Sequence, residues 1–115
     1  MTDAATRPWE THYQITDTTV IAETPDLRVL EITLGPGEEV PWHVHSQVDD
    51  IFYCLSGAIE VLTRKPEETH ALPVGASCRI PHGRGHRVVN AAPDGATSRF
   101  VLIQGPGTYD YVPLP

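Results

Sequence analysis

Short apolar runs separated by turn residues recur along most of the chain, and this pattern restricts the possible folds more than any other feature. The runs are rich in β-branched and aromatic side chains, with glycine, proline or aspartate between them. No segment shows a helical period, and no gap could hold the crossover helix of a parallel sheet. The pattern predicts an all-β fold of about nine or ten short antiparallel strands, in a sandwich or closed barrel. The predicted strands are residues 18–23, 27–34, a strand through His43 and His45, 50–55, 58–63, 69–72, 77–80, 86–90 and 97–104.

The length and composition favour one small folded domain. A chain of 115 residues can bury a single hydrophobic core, and 40% hydrophobic residues with eleven prolines indicate a folded, turn-rich chain. We therefore predict a single domain over residues 1–115. Residues 1–16 are mostly polar and contain Trp9, His12 and Tyr13, and they are predicted to form a tail, an edge strand or an arm that docks on a partner subunit. The sequence leaves these three alternatives open.

The charge balance argues against two classes of partner. Eight Lys+Arg residues against fifteen Asp+Glu residues give a net charge of −7, so nucleic acid and anionic membranes are not expected partners. No apolar run approaches eighteen residues and the N-terminus lacks the apolar segment of a signal peptide, which predicts a cytoplasmic protein. Cys54 and Cys78 lack Cys-x-x-Cys spacing and are predicted to be reduced thiols, either in the core or lining a cavity.

Two histidines stand two positions apart in one predicted strand. Successive side chains of a strand point to opposite faces, so the imidazoles of His43 and His45 leave the same face. They can lean together to share one ion at about 2.1 Å each. Further ligands must come from elsewhere, and Asp50 and His86 each stand at the start of another predicted strand.

A single histidine is more often a surface or polar core residue than a metal ligand. The prediction of a metal site therefore depends on the spacing of several histidines together. His12, His70 and His82 have no such pattern and are predicted to lie at the surface.

Two longer patterns surround these residues, and together they resemble the paired motifs of the cupin superfamily. The first motif has the spacing Gly, five residues, His-x-His, three or four residues, Glu, six residues, Gly, and it falls on Gly37, His43, His45, Asp50 and Gly57. The second motif is matched in full by Gly75, Pro81, Gly83, His86 and Asn90. The departure is Asp50, which stands where the family has glutamate.

The resemblance implies a cupin double-stranded β-helix, a jelly-roll barrel that holds one divalent metal ion inside. The implied ligands are His43, His45, Asp50 and His86. Three imidazoles and one carboxylate, with no thiolate, suit a first-row ion, and Fe(II), Mn, Ni and Zn all remain open. Because aspartate is one carbon–carbon bond shorter than glutamate, about 1.5 Å, Asp50 is either a weak ligand or an acceptor just outside the ligand shell. Asp49 is the alternative acid, although only Asp50 preserves the six-residue step to Gly57.

The pocket can be outlined from the alternation of strand side chains. If the four candidate ligands face inward, Phe52 and Cys54 share the inner face of Asp50, while Val88 and Asn90 share that of His86. Arg79 or Gln104 could add a polar side chain to this pocket if the register of its strand turns it inward, which the sequence leaves open.

The resemblance also implies a function and an assembly. A metal-dependent enzyme is expected, and a dioxygenase acting on a small carbonyl or carboxylate compound is the leading interpretation. A metal-dependent isomerase, lyase or cyclase and a non-enzymatic small-ligand-binding module are the alternatives. A homodimer is expected, with the N-terminal strands and the C-terminal segment around Tyr109 and Tyr111 as its surface.

Overall fold

The computed structural model describes residues 13–115, which form two five-stranded antiparallel sheets facing each other. The first sheet has the order β1-β2-β9-β4-β7, and the second has the order β10-β3-β8-β5-β6. This arrangement confirms the predicted all-β class. The strands are β1 (Asp17–Thr24), β2 (Leu27–Leu34), β3 (Glu39–Val44), β4 (Asp49–Ser56), β5 (Ala58–Thr63), β6 (Glu68–Pro73), β7 (Ser77–Ile80), β8 (His86–Asn90), β9 (Ser98–Gly105) and β10 (Val112–Pro113).

The core lies between the two sheets and follows from strand alternation. In β2, the even-numbered residues from Arg28 to Leu34 are buried, while Val29, Glu31 and Thr33 point outward. Each fully buried aliphatic or aromatic side chain contributes about 1.5–3 kcal/mol to folding, so this shared interior is the main attraction between the sheets. Its buried apolar members are Leu30, Ile32, Leu34, Val40, Phe52, Cys54, Ile59, Val61, Leu72, Ile80, Val88, Phe100 and Leu102.

Two motif residues serve the fold itself. Gly57 has φ 72°, and a Cβ there would lie 2.6 Å from the carbonyl oxygen of Thr97, so both conformation and space require glycine. Asn90 was predicted to line the pocket, but its side chain joins loops instead. Its Nδ2 donates to the carbonyl oxygens of Leu34, Gly35 and Ala96, and its Oδ1 accepts from Ser98 Oγ and Ala92 N.

Strand β3 departs from simple alternation just before its histidine. Val40 pairs with Val88 and His43 pairs with His86, with a register shift between them. Pro41 lies in this irregular stretch, where its lack of an N–H removes one ladder hydrogen bond. As a result Val40 and His43 are both buried although they are three positions apart.

Most of the predicted N-terminal arm, including Trp9 and His12, lies outside the described residues. Within residues 13–115 there is no helix, and hence none with the length and apolar character needed to cross a bilayer.

Candidate metal centre

Four polar side chains from both sheets meet in the interior. His43 lies on β3 and His45 directly after it, His86 opens β8, and Asp50 is the second residue of β4 in the opposite sheet. All four are at most 3% exposed. One possible ligand atom from each residue lies within 4.8 Å of the others. The structure thus brings together the four residues that the two motifs single out.

Each imidazole has its outer nitrogen beside a backbone carbonyl. His43 Nδ1 lies 2.7 Å from the oxygen of Pro41, His45 Nδ1 lies 2.6 Å from that of Asp110, and His86 Nδ1 lies 3.0 Å from that of Arg84. Because a carbonyl oxygen only accepts hydrogen bonds, each Nδ1 carries the proton and donates it. The Nε2 atom of each ring is then available toward the centre of the cluster, as metal-binding histidines require.

The carboxylate of Asp50 faces two of these nitrogens. Its Oδ2 lies 2.8 Å from His86 Nε2 and 3.1 Å from His45 Nε2. If both rings are neutral with the proton on Nδ1, these contacts join acceptors to acceptors, and a shared cation or an extra proton must separate them. The shorter aspartate therefore reaches the cluster without the additional methylene of glutamate.

The electrostatics of the cluster favour a bound cation. Burial alone would raise the pKa of Asp50, but the charges and hydrogen bonds of His45 and His86 hold the pKa of this carboxyl well below its usual range. Burial, together with the neighbouring His86 and His45, lowers the pKa of His43 to about 3, so this imidazole is neutral at pH 7. Burial opposes a charge on His45, yet the nearby carboxylate raises the pKa of His45 above its ordinary value.

The donor set fits a first-row divalent ion. Donor atoms that share an ion at about 2.1 Å lie about 3–4 Å apart, close to the spacing within this cluster. Neutral imidazole nitrogens and a carboxylate oxygen are common ligands of Fe(II), Mn, Ni and Zn.

A small cavity of about 20 Å³ adjoins the cluster. This volume has room for roughly one water molecule. Phe52, Val88 and Gln104 line it. The other lining residues are Tyr13, Ile32, Val40, His43, His45, Asp50, Phe100, Leu102, Tyr109 and Tyr111.

The family model described as Cupin domain matches residues 30–103 of the chain. This chain belongs to the cupin family. Among solved structures, this cupin resembles KdgF from Halomonas sp. at 27% identity and a TM-score of 0.68, over 83% of this chain and 87% of that one. It also resembles an uncharacterized conserved protein with a double-stranded β-helix domain from Klebsiella pneumoniae subsp. pneumoniae MGH 78578, at 22% identity and a TM-score of 0.72 over 96% of each chain.

A third similar structure is an oxalate oxidase, with 18% identity, a TM-score of 0.70, and coverage of 78% of this cupin and 47% of that chain. At this identity, the likeness concerns the fold. A search of curated proteins found no match.

Other predicted site residues of this cupin lie away from the cluster. Cys54 is buried in the apolar core, with its Sγ 3.7 Å from the carbonyl oxygen of Ser56, and it does not line the cavity. Both cysteines are unpaired. Of the two residues that could add a polar group to the pocket, Arg79 is exposed and pairs with Asp49, whereas Gln104 lines the cavity. His70 lies at the surface, 3.2 Å from a carboxylate oxygen of Glu68.

The alternative acid, Asp49, holds the turn that precedes His86. Its Oδ1 accepts from the backbone N–H of His82 at 2.8 Å, and its Oδ2 accepts from Arg79 Nε at 3.0 Å. The hydrogen bonds from His82 and Arg79 lower the pKa of Asp49 to about 2. Asp49 thus points away from the imidazoles of the cluster. The exposed ring of His82 contacts Asp49 and is not part of the cluster.

The C-terminal segment contributes more to the site than the sequence predicted. The ring of Tyr111 stacks on His43 with centroids 4.6 Å apart, and the ring of Tyr109 lies 5.3 Å from His45. Asp110 fixes this segment, because its carboxylate accepts from the N–H of Ser46 at 2.8 Å and from its hydroxyl at 2.6 Å. Both tyrosine rings therefore turn into the cavity, whereas a place on a dimer surface was predicted. Their spacing of two residues was the available signal that they share a face.

The phenols around the cavity remain protonated at pH 7. Burial raises the pKa of Tyr111 to about 12, and it raises the pKa of Tyr13 and Tyr109 still further. These groups can donate hydrogen bonds to a ligand, but they are poor proton acceptors.

Proposed function

We propose that this cupin is a metal-dependent enzyme acting on a small carbonyl or carboxylate compound. The observation that carries the proposal is the common orientation of His43, His45 and His86, each donating its Nδ1–H to a backbone carbonyl. The Nε2 atoms of His45 and His86 contact Asp50 Oδ2, and His43 has a possible ligand atom within 4.8 Å of those of the other three residues. A divalent ion held there would supply Lewis acidity that stabilises negative charge developing on a ligand oxygen.

The surrounding residues would exclude water and orient the ligand. Phe52 and Val88 make the wall beside the cluster apolar, which strengthens electrostatic interactions inside. The three tyrosines offer hydrogen-bond donors. Among the described lining residues, the titratable groups outside the cluster are these phenols, whose raised pKa values make them unsuitable as general bases.

The shortage of a general base supports a dioxygenase as the finer proposal. Isomerase, lyase and cyclase reactions usually need a side chain that accepts a proton from carbon. An oxygenase can instead rely on the bound ion and dioxygen, and on pocket residues for orientation.

A non-enzymatic ligand-binding module is the second candidate. It is favoured by the small volume of the cavity, about 20 Å³, and by its closure under Tyr109 and Tyr111. A substrate larger than a few atoms would have to displace these rings. Turnover separates the two proposals, because a binding module gives no product.

The decisive experiment measures metal content first and chemistry second. The protein is stripped with a chelator and reloaded in separate samples with Fe(II), Mn(II), Ni(II) or Zn(II). Each sample is mixed with a panel of small carbonyl and carboxylate compounds, and oxygen uptake and product formation are followed in air and under nitrogen. We expect activity with Fe(II) in air only. Activity under nitrogen would favour an isomerase or lyase, and ligand binding without product would favour the module.

Two histidine variants provide matched controls for this experiment. His86→Ala should lose both the metal and the activity, whereas the surface variant His70→Ala should keep both. Metal content that stays below stoichiometry in the wild-type protein under all loading conditions would refute the metal-dependent function.

We also propose that the protein acts as a homodimer. The outer face of the first sheet carries a continuous apolar patch in its centre, formed by Val29, Ile51, Tyr53, Val101 and Ile103. Ion pairs border it, Glu31 with Arg99 and Asp49 with Arg79. An apolar centre with both signs of charge at its rim suits a second copy of the same surface related by a twofold axis.

A further inference from the structure

Gln104 lies directly beside the candidate metal centre. It is on β9, and its Cα partner in the neighbouring strand β4 is Asp50. Its side chain is 3% exposed and lines the cavity. A buried amide of this kind must satisfy both its oxygen and its nitrogen inside the protein.

The orientation of this amide is fixed by its neighbour. Gln104 Nε2 donates to Asp50 Oδ1 at 3.2 Å. The reversed amide would place its oxygen against the carboxylate oxygen, so that two acceptors would repel each other. The nitrogen therefore faces Asp50, and the oxygen is left for another partner.

The amide oxygen has no hydrogen-bond donor among the described residues. Gln104 Oε1 is buried and without a partner in residues 13–115. Phe52, Phe100 and Leu102 in the lining have no donor groups, and the phenols of the three tyrosines that line the same cavity make no hydrogen bond to this oxygen. A buried acceptor left in this state disfavours the folded protein, so the site is suited to a donor from outside the chain.

The position of this oxygen restricts where the donor can be. The oxygen and nitrogen of one amide lie about 2.2 Å apart. Because the nitrogen contacts Asp50, the oxygen lies within a few ångströms of the cluster. A small molecule held by the cluster could therefore place a donor within reach of this oxygen.

We propose that Gln104 selects small ligands that carry a hydroxyl group, and that α-hydroxycarboxylates are the class the site accepts. The inference rests on the proposed function, since the carboxylate of such a ligand would bind at the His/Asp cluster. The α-hydroxyl then donates to Gln104 Oε1. A dicarboxylate dianion lacks this hydrogen and would bring a carboxylate oxygen against the amide oxygen.

The proposal is tested by titration calorimetry of the Ni(II)-loaded protein with two probes, glycolate and methoxyacetate. They share the carboxylate and the α-oxygen, but the methyl ether removes the donor. We expect glycolate to bind about tenfold more tightly than methoxyacetate to the wild-type protein, the effect of one hydrogen bond with a buried partner. In Gln104→Met the ratio should fall to about twofold. Methionine matches glutamine in length, so preference for the smaller probe through size alone would persist in this variant.

A matched control uses an outward-facing position on the second sheet, away from the proposed dimer patch. Leu62→Met introduces the same residue on the outer side of β5 and should keep the wild-type ratio. If Gln104→Met does not fold, Gln104→Leu replaces it in the same comparison, because leucine also lacks the amide oxygen.

The failures of the two proposals are distinguishable. If the wild-type protein takes up no Ni(II) or other divalent ion, the proposed function fails and this inference with it. If Ni(II) binds but neither acid binds, or both bind equally, or the ratio is unchanged in Gln104→Met, only the role of Gln104 is refuted.

Discussion

Asp50 supplies the negative charge among the four buried side chains, and its removal should weaken metal binding. Asp50→Ala leaves three neutral imidazoles without an anionic partner. We expect metal affinity to fall at least about tenfold, because even the removal of a residue that only hydrogen-bonds to a metal ligand has an effect of this size. The matched variant Asp49→Ala removes the adjacent carboxylate, which points away from the imidazoles, and should retain metal. Competition titration with a coloured chelator measures both affinities. Equal metal affinity in Asp50→Ala and wild type would place Asp50 outside the ligand shell.

The sequence predicted which residues approach one another, but it could not predict what else they contact. Motif spacing and strand alternation were enough to bring His43, His45, Asp50 and His86 together. The carbonyl beside His45 comes from Asp110, far along the chain, and no local pattern specifies such a contact. Asn90 shows the limit of alternation, which placed it on the inner face beside His86: its amide instead donates to the loop carbonyls of Gly35 and Ala96.

At the scale of elements, the turn between β2 and β3 depends on Glu38. Its Oε1 accepts from Gly35 N at 2.6 Å, from Thr16 N at 2.9 Å and from Thr16 Oγ1 at 2.8 Å, and these bonds lower its pKa below 4.5. A lowered pKa in the folded state means that the stabilisation is complete above pH 4.5 and is lost as the pH falls through the lowered value. We expect Glu38→Gln, which keeps an acceptor oxygen but removes its charge, to destabilise the protein by about 1 kcal/mol at pH 7, because hydrogen bonds to a charged acceptor are roughly twice as strong as neutral ones.

Urea unfolding at several pH values tests this expectation. The difference between Glu38→Gln and wild type should shrink as the pH is lowered from 5 to 3, because the wild-type carboxylate becomes protonated. Glu67→Gln, at an exposed position, should differ little from wild type at any pH. If the difference in unfolding free energy between wild type and Glu38→Gln stays constant down to pH 3, the Glu38 carboxylate does not stabilise this turn.

The segment that carries Tyr109 and Tyr111 should affect the metal centre through its attachment at Ser46. Asp110→Ala removes both hydrogen bonds to Ser46 and loosens the carbonyl that orients His45. We expect about a tenfold loss of metal affinity, typical for a group that orients a ligand. Tryptophan is absent from this segment, so tyrosine ring dynamics by NMR provide the second readout, and the rings should become more mobile. Glu67→Ala is the charge-matched control, and unchanged affinity in Asp110→Ala would show that the segment does not support His45.

The sequence also predicted the strands better than their irregularities. Buried and outward residues alternate without interruption along β2 and β5, whereas the register shift after Val40 changes which β3 residues are buried. A proline in a strand signals such a shift, but its position within the ladder depends on the partner strand β8.

At the scale of the whole molecule, the apolar patch on the first sheet predicts the assembly. Ile103→Glu introduces a charge at the centre of this patch on an outward-facing position, so the core should be preserved while the dimer is weakened. Leu62→Glu places the same charge on the outer face of the second sheet and should leave the dimer intact. Light scattering after size-exclusion chromatography gives the mass of each variant. A monomeric wild-type protein at micromolar concentration would refute the dimer.

The metal centre also connects the two halves of the fold. Asp50 belongs to the first sheet, while His43 and His86 belong to the second, so an ion held by all of them adds an interaction between the sheets. A ligand that binds the folded state alone stabilises it by about 2.7 kcal/mol when present at a hundred times its dissociation constant. For a domain of this size we expect chelation to lower the melting temperature by several degrees and re-addition of the ion to restore it. His86→Ala should lose this response, and His70→Ala should keep it. A wild-type melting temperature unaffected by chelator and by added metal would show that no ion bridges the sheets, because an ion bound at this position cannot leave the stability of the folded state unchanged.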